Sequence, residues 1–116
     1  MDKIIIVYHI FVNKNLIRYT KVSKEINESI TIGRNNKNDI DLNFPTISKE
    51  HGRVFSENKI LYYEDKSKHG STIIHWNRFE AVSEFVNKRI IELKKDDWVI
   101  ISESGVNSIL IMPIIE

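Results

Sequence analysis

The chain of 116 residues is 41% hydrophobic and 28% charged, the balance of a folded domain and not of a disordered tail. Its 17 basic residues against 16 acidic ones leave a formal charge of +1, without the basic excess of a general nucleic-acid binder. Cysteine is absent, which excludes disulfides, thiolate metal sites and cysteine nucleophiles and fits a reducing, cytoplasmic setting.

The apolar N-terminal run "KIIIVYHIFV" falls short of the roughly 20 apolar residues of a membrane span. It also lacks the small-residue cleavage site of a secretory leader. It reads as a first strand, with no membrane association. Further runs rich in Ile, Val, Tyr and Phe follow at 16–22, 30–32, 40–42, 53–55, 60–63, 71–74, 98–101 and 108–112. Polar clusters such as "VNKN", "RNNKND" and "SESGVN" separate them. Short β-favouring runs broken by Asn, Gly and Ser predict an all-β sandwich or barrel. Within "RVFSENKILYYED" the alternation is clear and reads as a hairpin turning at Glu57-Asn58.

One stretch departs from this rhythm. In "HWNRFEAVSEFVNKRIIEL", Trp76, Phe79, Val82, Phe85 or Val86, and Ile90 recur every three to four residues. That spacing predicts a short helix near 77–87, with two further short strands as the alternative. Under the helical reading, Trp76, Phe79 and Phe85 cap the core; a partner-contact surface is the competing role. No internal repeat or Pro/Gly-rich linker interrupts the chain, so residues 1–116 read as a single domain.

Three polar stretches carry the candidate chemistry. Gly33 and Arg34 close the run "ITIG", where glycine permits an unusual backbone angle or a close approach. Arginine there can project its planar fork toward a phosphate or carboxylate, although an exposed Arg beside a turn is usually only solvated. In "PTISKEHGRV", Ser48 offers a hydroxyl and Lys49 an ammonium, and turns expose N–H groups that suit an anion. His51, at a loop-to-strand junction, reads first as a residue that holds loop backbone. In "YYEDKSKHGSTI", the segment Asp65 to Ser71 forms a polar turn in which Asp and Ser commonly bond their own backbone. An enzyme is not indicated. Ser48, His51 and Asp65 lack a G-x-S-x-G elbow, and the histidines lack the spacing of a zinc site. No cofactor and no metal is expected.

The order and spacing of the three stretches are more specific than any one of them. Ser48 lies fourteen residues after Arg34 in an S-x-x-H motif, and Ser67 lies nineteen after Ser48 in D-x-S-x-x-G-S. This arrangement resembles the forkhead-associated (FHA) domain. "NDIDL" is similar to the family's strand after G-R. "LKKDDWVII" is similar to its late strand, with Asp96 in place of a glycine, and "FVNKRI" to its V-N-G turn, with Lys88 in place of a glycine. The resemblance implies a β-sandwich of about eleven strands whose loops at one end bind phosphothreonine in a partner protein, in signalling. Carried over, Arg34, Ser48, Lys49, Lys68 and His69 would contact the phosphopeptide, while Gly33, His51 and Gly70 would shape the loops. Two departures stand out. Lys68 replaces a hydroxyl with a charge, and His69 replaces an asparagine whose donor and acceptor an imidazole cannot copy. Residues 72–84 also fill an interval that is usually two or three residues. A phosphate-independent scaffold or self-association domain on the same fold is the alternative. The oligomeric state is left open.

Overall fold

The computed structural model of the protein describes residues 2–77, 79–103 and 107–116. Eleven strands follow one another: β1 (Lys3–Val12), β2 (Asn15–Glu25), β3 (Ile30–Gly33), β4 (Ile40–Asp41), β5 (Gly52–Glu57), β6 (Ile60–Asp65), β7 (Ser71–Trp76), β8 (Ala81–Val86), β9 (Ile90–Leu93), β10 (Trp98–Glu103) and β11 (Asn107–Ile115). They form two sheets. One has six strands in the order β2-β1-β11-β10-β7-β8, the other five in the order β4-β3-β5-β6-β9. β3 and β4 pair in parallel. The other pairings are antiparallel.

Side-chain alternation decides which face of each strand turns inward. In β1, Ile4, Ile6, Tyr8 and Ile10 are buried. In β11, Ile109 and Ile111 meet them, and in the opposite sheet Ile30, Ile32, Val54 and Tyr63 complete the core. Most of these residues are β-branched, with stiff side chains that suit a pleated surface. Each fully buried isoleucine contributes about 1.5–3 kcal/mol. No helix of the described residues is long and apolar enough to cross a membrane.

The expected hairpin forms between β5 and β6, but its turn is Asn58-Lys59, one residue later than the sequence suggested. Both turn residues have positive φ, 52° and 64°. Such angles mark a two-residue turn whose twist matches that of the flanking strands. The β1–β2 hairpin repeats the solution with Asn13-Lys14, at 50° and 66°. Of the cluster "SESGVN", residues 104–106 lie outside the described residues.

The helix expected near 77–87 does not form. Ala81–Val86 is a strand that pairs with β7 over six registers, from Ser71↔Val86 to Trp76↔Ala81. The side chain of Asn77 accepts the N–H groups of Phe79 and Glu80. Those are bonds that would cap a helix, but here they close a hairpin turn because β7 offers an unpaired sheet edge. The apolar residues that mimicked a helical stripe are split between faces. Val86 is buried, whereas Trp76, Phe79 and Phe85 are 44%, 90% and 63% exposed, so these aromatics do not cap the core. Residue 78 of this stretch lies outside the described residues.

Strand direction brings several connections to one end of the sandwich. Gly33 ends β3, Gly52 opens β5 and Asp65 ends β6 within one set of ladder pairs. Ser71 opens β7 opposite the last residue of β8, and Glu64 pairs with Ile90 at the start of β9. The three candidate stretches therefore leave the sheets side by side.

Candidate functional site

The site is built on backbone contacts between loops that are remote in sequence. Arg34 N–H donates to the Ser48 carbonyl at 3.0 Å, and His51 N–H to the Ile32 carbonyl at 2.9 Å. The Ser48 hydroxyl accepts the Lys68 N–H at 3.0 Å. Three stretches are thus tied together through Ser48. Its oxygen is used as an acceptor, and its own proton is left to donate elsewhere.

Gly33 serves close approach. A Cβ there would sit 2.0 Å from the Lys49 carbonyl oxygen, so a side chain would push the Ser48 loop away. Asn38 holds the same carbonyl from the other side, its amide donating to Lys49 O at 2.8 Å and to the Asn35 side chain at 2.9 Å. Asp39 anchors the end of this loop on the Thr31 N–H and on Lys24. Burial works against the charged carboxylate of Asp39, but the Thr31 N–H and the Lys24 ammonium outweigh it and hold its pKa below the usual range.

Beneath the loops lies a buried polar network. Asp65, at 1% exposure, accepts the N–H of Ser67 and of Lys88, both at 3.0 Å. It also accepts the hydroxyls of Ser67 and Ser71. Because Ser71 gives its proton to Asp65, the Tyr63 hydroxyl must donate to Ser71, at 2.7 Å. The Ser67 oxygen in turn accepts the Gly70 N–H at 2.7 Å. Gly70 has φ of 85°, a conformation that L side chains rarely adopt, and the Phe85 ring stands where its Cβ would be. Asn87 closes the group by donating to the Ser67 carbonyl at 2.9 Å.

His51 is 1% exposed and links this network to the Ser48 loop. Its Nε2 lies 3.2 Å from the Gly70 carbonyl, which can only accept, so Nε2 carries the proton. Nδ1 has no partner among the described residues, as suits an unprotonated nitrogen. Burial pushes the ring's pKa below the usual histidine range, against the pull of the Asp65 charge and the bond to Gly70. His51 is thus a neutral strut.

Above this floor the structure places Arg34, Ser48, Lys49, Lys68 and His69 at one end of the sandwich. Lys49, Lys68 and His69 are exposed, while Arg34 and Ser48 are half-buried. Among the described residues, none of the three cations Arg34, Lys49 and Lys68 is in an ion pair. Arg34 Nε is buried without a hydrogen-bond partner. A cluster of unneutralised cations with a free hydroxyl proton is chemistry that suits an oxyanion. The described residues hold no cluster of three or more His, Asp or Glu that could bind a metal ion. Sequence reasoning assigned no role to Asn38, Tyr63 and Asn87, whose bonds span 8 to 22 residues, and it read Ser71 only as part of the polar turn. Asn38 and Asn87 stood within "NDIDL" and "FVNKRI", and that was their one visible signal.

The FHA domain family model matches residues 30–102. No curated protein matches the chain in sequence. Solved structures with the same fold include the N-terminal FHA domain of S. cerevisiae Rad53p in complex with a phosphothreonine peptide. It is 20% identical with a TM-score of 0.62, over 90% of this chain and 91% of that one. The FHA domain of an Arabidopsis thaliana hypothetical protein is 17% identical with a TM-score of 0.66, over 96% and 83%. The FHA domain of a Chlamydia trachomatis protein is 15% identical with a TM-score of 0.58, over 92% and 95%.

Proposed function

Because the chain belongs to the FHA domain family, a family of phosphothreonine-binding modules that are in general non-catalytic, we propose that it reads phosphothreonine in a partner protein through the Arg34, Ser48 and Lys68 loops. The observation that carries this reading is the bond from Lys68 N–H to the Ser48 hydroxyl. It locks two loops together and leaves the remaining Ser48 proton free to donate. A phosphothreonine brings about −1.5 to −2 charge and three acceptor oxygens. Ser48 donates to one of them, Arg34 supplies its guanidinium charge, and Lys49 and Lys68 add ammonium groups that no acid among the described residues neutralises. His69, next to Gly70 on the exposed rim, faces the peptide main chain and can give it one hydrogen bond when neutral.

Titration calorimetry with matched phosphothreonine and plain threonine peptides tests the reading, beginning with an oriented phosphopeptide library. The phosphorylated form should bind and the plain form should not. Arg34→Ala and Ser48→Ala each remove a charge-assisted bond worth about 1.5–3 kcal/mol, so each should weaken binding roughly 10- to 100-fold. Equal affinity for both peptides, or full affinity in both variants, would sink the proposal.

A further inference from the structure

The two outer faces of this sandwich are unlike. On the five-stranded sheet the outer positions mix charge and apolar area: Arg53 pairs with Glu64 at 2.6 Å, and Tyr62 lies opposite Glu92. On the six-stranded sheet the register sets Tyr19, His9, Leu110, Ile100, Thr72 and Phe85 in one continuous row across all six strands. In the next row Val7 pairs with Lys21 and Met112, and Ile74 pairs with Trp98 and Ser83. Among the described residues paired across the four rows from Phe11 to Ile5, the one formally charged side chain is Lys21, on the edge strand β2; Ile5 is already buried within the chain, and Lys94, Lys95 and Asp96 border the row at Ile114. An antiparallel sheet with one wet face alternates apolar and polar residues, whereas "KIIIVYHIFV", "WVII" and "SILIMPII" are apolar at both parities, the pattern of strands buried on both faces.

We infer that this face is covered by a second copy of the chain, in a two-fold dimer packed sheet on sheet. Two observations bear on this: one favours the copy over a different partner, and the other sets the size of the face against what a dimer needs. The first is charge. A face with almost no charge of its own meets itself without like-charge opposition, whereas recognition of a foreign surface is ordinarily written in complementary charges. The second is area. Six strands about 4.8 Å apart, over about six residue rises, give a footprint on the order of 600 Å² before side-chain relief is counted. A stable interface takes about 800 Å² per partner, near a tenth of a small protein's surface, and the accessible surface here is 7052 Å². Two apolar antiparallel faces pack with their strands within about 30° of each other, and a two-fold operator supplies that arrangement from one patch. The phosphate-facing loops lie at the end of the sandwich, so both remain open in the dimer.

The two tryptophans of the chain both stand on this face and report on it directly. The Trp76 and Trp98 rings meet edge to face with centroids 4.6 Å apart. Sedimentation equilibrium and tryptophan emission, followed over a dilution series of the full chain, form the test. The expected result is twice the chain mass at high concentration, with emission shifting to the red as the protein dissociates. Ile100→Lys and Met112→Lys, made separately, should each weaken the dimer at least tenfold while keeping a cooperative melt. A monomer at every concentration, which leaves the face to another protein or segment, overturns the inference. So does a dimer of undiminished strength in a folded variant. If neither variant folds, unchanged emission through the dissociation of the wild-type dimer overturns it as well.

Discussion

Asp65 is the residue on which the loops of the candidate site rest. A buried carboxylate is costly unless its oxygens are met, and here two backbone N–H groups, two hydroxyls and, at 3.4 Å, the Asn87 amide meet them. Replacing Asp65 with Ala strands the Ser67 and Lys88 N–H groups and the two hydroxyls at once. Urea unfolding should show a loss of about 3 kcal/mol or more, the usual consequence of orphaning buried donors. A loss under about 1 kcal/mol would mean that water replaces the carboxylate and that the network is not structural. Residue-scale reading of the sequence went far here and then stopped. Ser48, Lys49, His51 and the Asp65–Ser67 turn were legible because they sit in short motifs, and His51 was read as a loop brace. Tyr63 was not, because it looks like an ordinary strand residue until the sheet brings it against Ser71, and Ser71 was read only as part of the polar turn and not as the partner of Asp65, Tyr63 and His51.

At the scale of elements, the chain uses lysine where turns favour glycine. Lys14, Lys59 and Lys88 have φ of 66°, 64° and 54°, and Asp96 has 66°. A left-handed conformation costs an L-residue about 1–2 kcal/mol, and glycine returns part of that gain through its freer unfolded chain, about 0.4–1 kcal/mol. Lys14→Gly and Lys88→Gly should therefore each stabilise the fold by about 0.5–1 kcal/mol, seen as a rise of a few degrees in the thermal midpoint. No change or a fall would place the value of these lysines in side-chain contacts instead. The same positions show how the sequence was legible. Lys88 and Asp96 stood where the resemblance expects glycine, and the positive φ at both shows that the backbone kept the turn after the glycine was gone. The β7–β8 hairpin was misread for the converse reason. Its residues carry a period of three to four by coincidence, and the edge of β7, which settles the matter, is a partner that no local window contains.

At the scale of the whole molecule, two histidines make stability respond to pH in opposite directions. His51 sits in the core with its pKa below the usual range, first because burial penalises its charged form. It contributes stability that is complete above the unfolded value near 6.5 and is lost as the pH falls through its lower folded value. His75, on β7, lies between Asp97 at 2.7 Å and Glu84 at 3.0 Å. Both partners can only accept, so both ring nitrogens donate and the ring is held as a cation. Burial opposes that charge, but the bonds and charges of Glu84 and Asp97 outweigh it and raise the pKa above the usual range. Its contribution is complete below about pH 6.5 and fades as the pH rises through the raised value. Arg89 bonds Glu84 from the exposed side, and the Lys94 N–H bonds Asp97, so both carboxylates stay in place as the ring titrates. His75 also joins β7, β8 and the turn before β10, so its charge binds together the edge of the larger sheet. Urea unfolding of the wild type and of His75→Gln should give a stability difference that is largest near pH 6 and shrinks steadily toward pH 9. A difference that stays constant over that range would show that His75 holds the edge by packing alone, and a difference that grows would reverse the sign assigned to it.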